Sequence, residues 1–211
     1  MNIAIIGTGN MAQGLAVLFA ATGVALTIAA RDSDKAASLA ARIGNGCVAA
    51  SIADAVHAAD MVVLAVPYGA VDEVLAQANC WTGKVVIDIT NPISPDYMSL
   101  TIGHSTSAAE EIQKRAPGAV VLKAFNTIFA EMLLHGLNHD QPPVQVFYAT
   151  DDGAVGERFA TLLQAMGFAA VYCGPLLNAR YLEPLAELNI HLGYALGWGT
   201  LTAPAWIKYA E

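Results

Sequence analysis

Positive charge is scarce in this chain. Ten Lys and Arg stand against eighteen Asp and Glu, a formal net charge of −8, and nowhere do the cations gather into a stripe. That excludes the electrostatic footprint of a nucleic-acid surface; otherwise an acidic balance bears on solubility rather than on substrate. Cysteine is sparse as well. Cys47, Cys80 and Cys173 are odd in number and far apart, with no CxxC and no Cys/His cluster, so neither a disulfide framework nor a metal site is expected. They read as small core residues of a reducing cytosol. The first cation is Arg31, so the basic region that opens a secretory signal is missing. Long apolar runs are interrupted: Gly23 cuts LAVLFAATGVALTIAA (15–30) into a helix and a strand, and glycines, His191 and Pro204 break up 189–207. Neither stretch reads as a membrane span, and the expectation is a soluble cytoplasmic protein.

What is present is apolar and periodic. At 211 residues, 55% hydrophobic and 13% charged, the chain suffices for one large, well-filled domain. The runs Ile3–Ile6, Val24–Ala30, Met61–Val66, Lys84–Ile89 and Ala119–Phe125 predict buried strands. Helices are predicted between them, over Asn10–Thr22, Ser33–Ile43, Ser51–Ala58, Ala70–Ala78 and Ala108–Ala116. The last opens on Ser107-x-x-Glu110, a reciprocal cap for the first turn. This alternation implies βαβ units and an α/β, mostly parallel sheet. After Thr127 come a loop (HGLNHDQPP, 135–143), a strand at Val144–Ala149, a helix at Gly153–Met166, a strand at Phe168–Cys173, and then mainly helix from Leu176. Residues 128–211 thus read as an extension packing on the same sheet as a 1–127 core, with no linker and no repeat.

The opening MNIAIIGTGNMAQG carries the chemistry. Gly7-x-Gly9-x-x-Ala12 stands directly between a predicted strand and a predicted helix, the context that gives an otherwise weak pattern weight. Gly7 permits a tight turn, Gly9 lets a pyrophosphate approach the backbone, and a small residue at 12 lets helix and strand pack closely. The helix end then offers unpaired amides and a positive dipole to phosphate. At the end of the second strand, an NAD site places a carboxylate; here TIAARDSDK puts Ala30 and Arg31, with Ser33 and Lys35 beyond. A guanidinium there suits the 2′-phosphate of NADP. Asp32 reads as the start of the next helix.

Taken with AVPY (65–68), DITNP (88–92), HSTSAAEEI (104–112), KAFNT (123–127) and GPLLNARYLEPL (174–185), the chain resembles the NADP oxidoreductases that use the deazaflavin coenzyme F420, and the related cytosolic domains of the STEAP metalloreductases. The resemblance spans nearly the whole length. It implies a single NAD(P)-binding domain of Rossmann type, doubly wound and extended by C-terminal strands and helices, with NADP(H) across the strand ends and a flavin-like ring on the nicotinamide. By position it implies Thr8, Gly9, Asn10 and Met11 at the pyrophosphate, and Arg31 and Lys35 at the 2′-phosphate. Val66, Pro67 and Tyr68 would flank the ribose and adenine side. Asn91 and Pro92 would stand by the nicotinamide ribose, and Ala124, Phe125 and Asn126 by the ring. NPISPDYMSL (91–100) and KAFNT depart from the archaeal deazaflavin pattern, and KAFNT looks closer to the metalloreductases. A flavin, a deazaflavin or a ferric chelate reached through a flavin stay open as acceptors.

Hydride transfer between stacked rings needs proximity and exclusion of water more than an acid or base, and no catalytic dyad is expected. His104 and Tyr97 are the candidates to touch a substrate, or to donate a proton if a small imine or carbonyl were reduced. His135 and His139 read as solvated, His57 as a helix-end residue, His191 as a core histidine with a satisfied partner, and Glu183 and Glu187 as an exposed pair. Phe125, Tyr68, Tyr97 and Trp198 are candidates for an aromatic wall, against ordinary core packing. The small-residue tail GYALGWG (193–199) suggests a homodimer whose tails cover the sites. The function expected is NADPH-dependent reduction of a flat acceptor; a nucleotide sensor without chemistry is the alternative.

Overall fold

A computed structural model describes residues 1–78, 80–135 and 142–209. Strands β1 (Asn2–Ile6), β2 (Ala25–Ala29), β3 (Val48–Ala49), β4 (Met61–Leu64), β5 (Val85–Asp88), β6 (Val120–Lys123), β7 (Gln145–Thr150) and β8 (Ala169–Tyr172) form one eight-stranded sheet in the order β3-β2-β1-β4-β5-β6-β7-β8. All neighbours run parallel except β6 and β7. Helices α1 (Asn10–Ala21), α2 (Ser33–Ile43), α3 (Ile52–Ala58), α4 (Val71–Gln77), α5 (Ala108–Arg115), α6 (Ala130–His135), α7 (Gly153–Ala165) and α8 (Ala179–Ile190) cover it. None is long and apolar enough to cross a membrane.

The strand alternation explains why both faces are covered. Ile3 and Ile5 point to the face where Leu15 and Phe19 of α1 and Phe159 of α7 pack. Ala4 and Ile6 point to the other, against Val56 of α3, Val71 of α4 and Ile112 of α5. The chain is therefore a doubly wound α/β fold of Rossmann type. Its order reverses direction between β1 and β4, the place where the strand ends of such sheets open into a crevice.

Three features depart from the expectation. The two-residue edge strand β3 lies where no strand was anticipated, because its exposed Val48 and Ala49 lack the apolar run that marks buried strands. β7 enters antiparallel to β6; buried periodicity reports covered faces, not direction. The tail is helical through α8 and a π-turn over His191–Ala195, but not beyond, where Gly197 and Gly199 have left-handed φ of 72° and 82°. Most of the loop read at 135–143, His139 included, lies outside the described residues.

The helix starts differ in a way that matters below. Asp32, Ser51, Ser107 and Asp152 cap α2, α3, α5 and α7, each accepting a hydrogen bond from a first-turn amide. Helix α1 begins on Gly9 with no side-chain cap and no acidic residue in its first turn.

Candidate functional site

Gly7 fixes the crevice. Its φ is +131°, and a Cβ there would sit 2.1 Å from the carbonyl oxygen of Ala65, at the end of β4. Only glycine lets the ends of β1 and β4 approach this closely. Gly9 is the reverse case: a Cβ there meets nothing within 4 Å, so its bare face looks into open space. With Gly9 as N-cap, the first amides of α1 have no partner inside the helix and none from a capping side chain.

Two clefts adjoin at this point. The first, about 360 Å³, is lined by Gly7, Thr8 and Gly9, by Ala30, Arg31 and Lys35 after β2, and by Val66 and Pro67 after β4. The second, about 710 Å³, runs from Gly9, Asn10 and Met11 past Pro67 and Tyr68 to Asn91 and Tyr97. Gly9, Ala65, Val66 and Pro67 line both. At the far edge of the first cleft, Arg31 Nη1 lies 3.5 Å from Glu73 Oε2, and Lys35 Nζ lies 3.3 Å from Asp32 Oδ2. Asp32 caps α2 as the sequence suggested, and the Lys35 amide holds its carboxyl below the usual range. Burial pushes the Tyr68 phenol up.

The floor of the second cleft rests on buried charge. Lys123 Nζ lies 2.9 Å from Asp88 Oδ2, 2.8 Å from Glu183 Oε1 and 2.6 Å from the Thr90 carbonyl oxygen. Asp88 Oδ1 accepts from the Thr90 amide at 2.8 Å, and the Glu183 carboxylate accepts from Ala108 and Ala109 at the start of α5. All three ionisable side chains are fully enclosed. Burial opposes the ammonium of Lys123, but the two carboxylates outweigh it and raise its pKa. Beside this network, Asn91 Nδ2 donates to the Asn126 carbonyl, while Asn126 Nδ2 donates to Asn91 Oδ1 and to the Leu182 carbonyl.

Several sequence expectations are corrected by this arrangement. Glu183 is not exposed; it is the buried partner of Lys123. Phe125 faces away from the cleft, edge-on to Phe159 and Phe168 at 5.8 and 6.0 Å, although its backbone holds a left-handed φ of 59°. Ala124, Asn126 and Pro92 are buried behind the cleft rather than lining it. Tyr97 lines its mouth and is 65% exposed. His104 is exposed and borders neither cleft; the same holds for Trp198. His191 is only half-buried.

Comparison with known proteins identifies the family. The family model for NADP oxidoreductase, coenzyme F420-dependent, matches residues 2–92. The F420-dependent NADP reductase of Methanothermobacter thermautotrophicus is 35% identical over 91% of this chain and 89% of its own length. The chain belongs to the F420-dependent NADP oxidoreductase family. It is by that membership an NADP-dependent oxidoreductase. The metalloreductase STEAP3 of Rattus norvegicus is 25% identical over 87% of this chain but only 36% of its own length. A solved structure from Arthrobacter sp. FB24, given the provisional description F420-dependent NADP reductase, superposes with a TM-score of 0.84 at 28% identity, covering 94% of this chain and 96% of that one.

Within this family member, sequence reasoning overlooked three contributors. Glu73 stands opposite Arg31, but one acidic residue on a surface helix carries no signal. Gln13 Nε2 donates to the Thr8 carbonyl at 2.9 Å, and Arg42 Nη2 donates to Gln13 Oε1 at 2.8 Å, bracing the glycine loop from α2. Asp88, Lys123 and Glu183 were missed as a set. Lys at the end of an otherwise apolar strand, in VVLK, is the one local hint, since a charge so placed needs a buried partner.

Proposed function

We propose that the two clefts together bind NADPH and that the chain is an NADPH-dependent reductase passing a hydride to a flat, flavin-like acceptor. The observation that carries this is the pairing of open space at Gly9 with the uncapped start of α1, at the point where the sheet order reverses. That combination offers amides to a diphosphate where a side chain would otherwise block it. When bound, NADPH supplies the hydride; the chain binds, orients and excludes water.

In this reading Thr8 to Met11 receive the pyrophosphate. Arg31 and Lys35 take the 2′-phosphate, exchanging their carboxylate partners Glu73 and Asp32 for it, with Ala30 giving room. Val66, Pro67 and Tyr68 form the wall between the two halves. Asn91, locked by Asn126, presents the edge of the second cleft, while Pro92, Ala124 and Phe125 shape it from behind. Tyr97 and the loop around it, residues 93–101, shield the reacting end. His104 has no part in this arrangement. A flavin or deazaflavin acts as a visiting co-substrate.

The oligomer in this reading is a homodimer. Tyr181, Leu188, Tyr194, Leu196 and Trp198 are all more than half exposed along α8 and the tail, an apolar surface of the kind that marks an interface. Light scattering after size exclusion is expected to give twice the chain mass. The three thiols are free, which suits a reducing, cytoplasmic setting.

Loss of NADPH absorbance with FMN, FAD, coenzyme F420 and ferric chelates as acceptors tests the reading, and consumption with at least one flat acceptor is expected. Tight NADPH binding without turnover on any acceptor would favour the sensor, which needs the same cleft and no chemistry.

A further inference from the structure

The turn that follows β6 is held in a strained shape. Phe125 is fully enclosed and keeps a left-handed φ of 59°, which a bulky side chain rarely adopts and which persists only where the surroundings impose it. Next to it, Asn126 is 6% exposed and borders neither cleft. It stands between α8 and Asn91. The orientation of both side-chain amides is set by backbone carbonyls, which can only accept. The Leu182 carbonyl of α8 takes one hydrogen from Asn126 Nδ2 at 3.0 Å, and Asn91 Oδ1 takes the other at 3.0 Å. The Asn126 carbonyl in turn takes a hydrogen from Asn91 Nδ2 at 2.9 Å. Turning either amide over would set oxygen against oxygen.

The backbone beside Asn91 is fixed as well. The Thr90 amide donates to Asp88 Oδ1, and the Thr90 carbonyl accepts from Lys123 Nζ, so Thr90 is gripped at both of its backbone polar groups. Buried ion pairs are weak evidence for stability; what these charges hold is a position. Asn91 itself is half-buried and lines the second cleft. The second hydrogen of its Nδ2 has no partner among the described residues. Arg31 and Lys35 border the first cleft, and Gly9 is shared by both. The part of a bound dinucleotide left for the second cleft is then the nicotinamide riboside, whose hydroxyls and carboxamide carry acceptor oxygens.

Resting on the NADPH reading above, we infer that Asn126 is a positioning residue of the cofactor site. Held by the Leu182 carbonyl of α8, it sets the one direction in which Asn91 offers its remaining amide hydrogen to an acceptor oxygen of the nicotinamide riboside. Asn126 touches neither cofactor nor acceptor and works only through Asn91. The strained turn at Phe125 is what brings it within reach of both α8 and the cleft rim.

Calorimetric titration of the full chain with NADP⁺ and with adenosine 2′,5′-bisphosphate, which lacks the nicotinamide riboside, tests this. Asn91→Ala is expected to weaken NADP⁺ about fivefold and Asn126→Ala about threefold, the range of one uncharged hydrogen bond. The bisphosphate is expected to bind both variants as it binds the parent. The double variant is expected to be no weaker than Asn91→Ala alone, because one residue acts through the other. Asn126→Ser leaves a smaller cavity, and its single hydrogen cannot serve both Leu182 and Asn91; it is expected to show the same pattern and replaces Asn126→Ala should that variant fail to fold. A general packing role for Asn126 would weaken both ligands, or add to the Asn91→Ala loss, and either result overturns the inference. So does NADP⁺ binding unchanged in either single variant while the parent saturates. If NADP⁺ does not saturate the parent, the cofactor reading itself falls and takes this inference with it.

Discussion

The two ends of the crevice are built by opposite means. The glycine end is made of backbone: Gly7 lets two strand ends touch, Gly9 leaves a face bare, and α1 starts without a cap. The other end stands on side chains, with Thr90 and Asn91 held by Asp88 of β5, Lys123 of β6, Glu183 of α8 and Asn126 beyond β6. A backbone site suits a ligand held through its phosphates. The Arg31–Glu73 and Lys35–Asp32 pairs belong to the first end and are exposed, so each is weak, as the proposed exchange for a phosphate requires.

Breaking the ionic base is expected to have the largest effect. Lys123→Met strands two buried carboxylates and is expected to cost about 3–5 kcal/mol in urea unfolding. A loss under about 1 kcal/mol would mean that the second cleft does not rest on this network. The backbone end gives a contrast within three residues. Gly7→Ala drives a Cβ into the Ala65 carbonyl and is expected to cost about 2–4 kcal/mol of stability. Gly9→Val, entering open space, is expected to stay within about 1 kcal/mol of the parent in unfolding while weakening NADPH at least about tenfold. Equal stability losses for the two would erase the distinction between them.

Arg31→Ala sharpens the comparison at the ribose edge. It is expected to weaken NADPH by about 1.5–3 kcal/mol, the loss of a charge-assisted contact, and to leave NADH nearly unchanged; equal losses would remove the phosphate from Arg31. The smallest effect concerns how α8 is tied to α5. Arg180 donates to both carboxylate oxygens of Glu110, from Nε at 2.8 Å and from Nη2 at 2.7 Å, and this, with the Ser107 hydroxyl, lowers the Glu110 pKa. A lowered folded-state pKa gives stability that is full above the unfolded value, about 4.3, and is lost as pH falls through the folded one. Thermal unfolding against pH is expected to show this acid slope, and Arg180→Ala to flatten it at a cost of about 1 kcal/mol at neutral pH.

What could be read from the sequence follows the range of the forces. The glycine loop, the α2 cap at Asp32 and the Ser107 cap lie within a few residues of one another, so their logic was visible in a short window, and the buried strands announced themselves by apolar runs. The ionic base joins Lys123 to Asp88, 35 positions away, and its Glu183 carboxylate accepts from the Ala108 amide, 75 positions away; nothing near Glu183 tells it from a surface acid until α8 folds against Lys123. Phe125 misled for a related reason. Its position beside Asn126 suggested the cleft, but a left-handed φ turns the chain there and sends the ring into the core against Phe159. The direction of β7 was equally hidden, because covered faces look alike in both senses.

The account stands on phosphorylated dinucleotide binding at the bare end of α1. Calorimetric titration of the purified chain with NADPH and with NADH measures it directly. The predicted result is saturable heat with NADPH at one site per chain and clearly weaker binding of NADH. Absence of saturable heat from either nucleotide would contradict the account at its foundation.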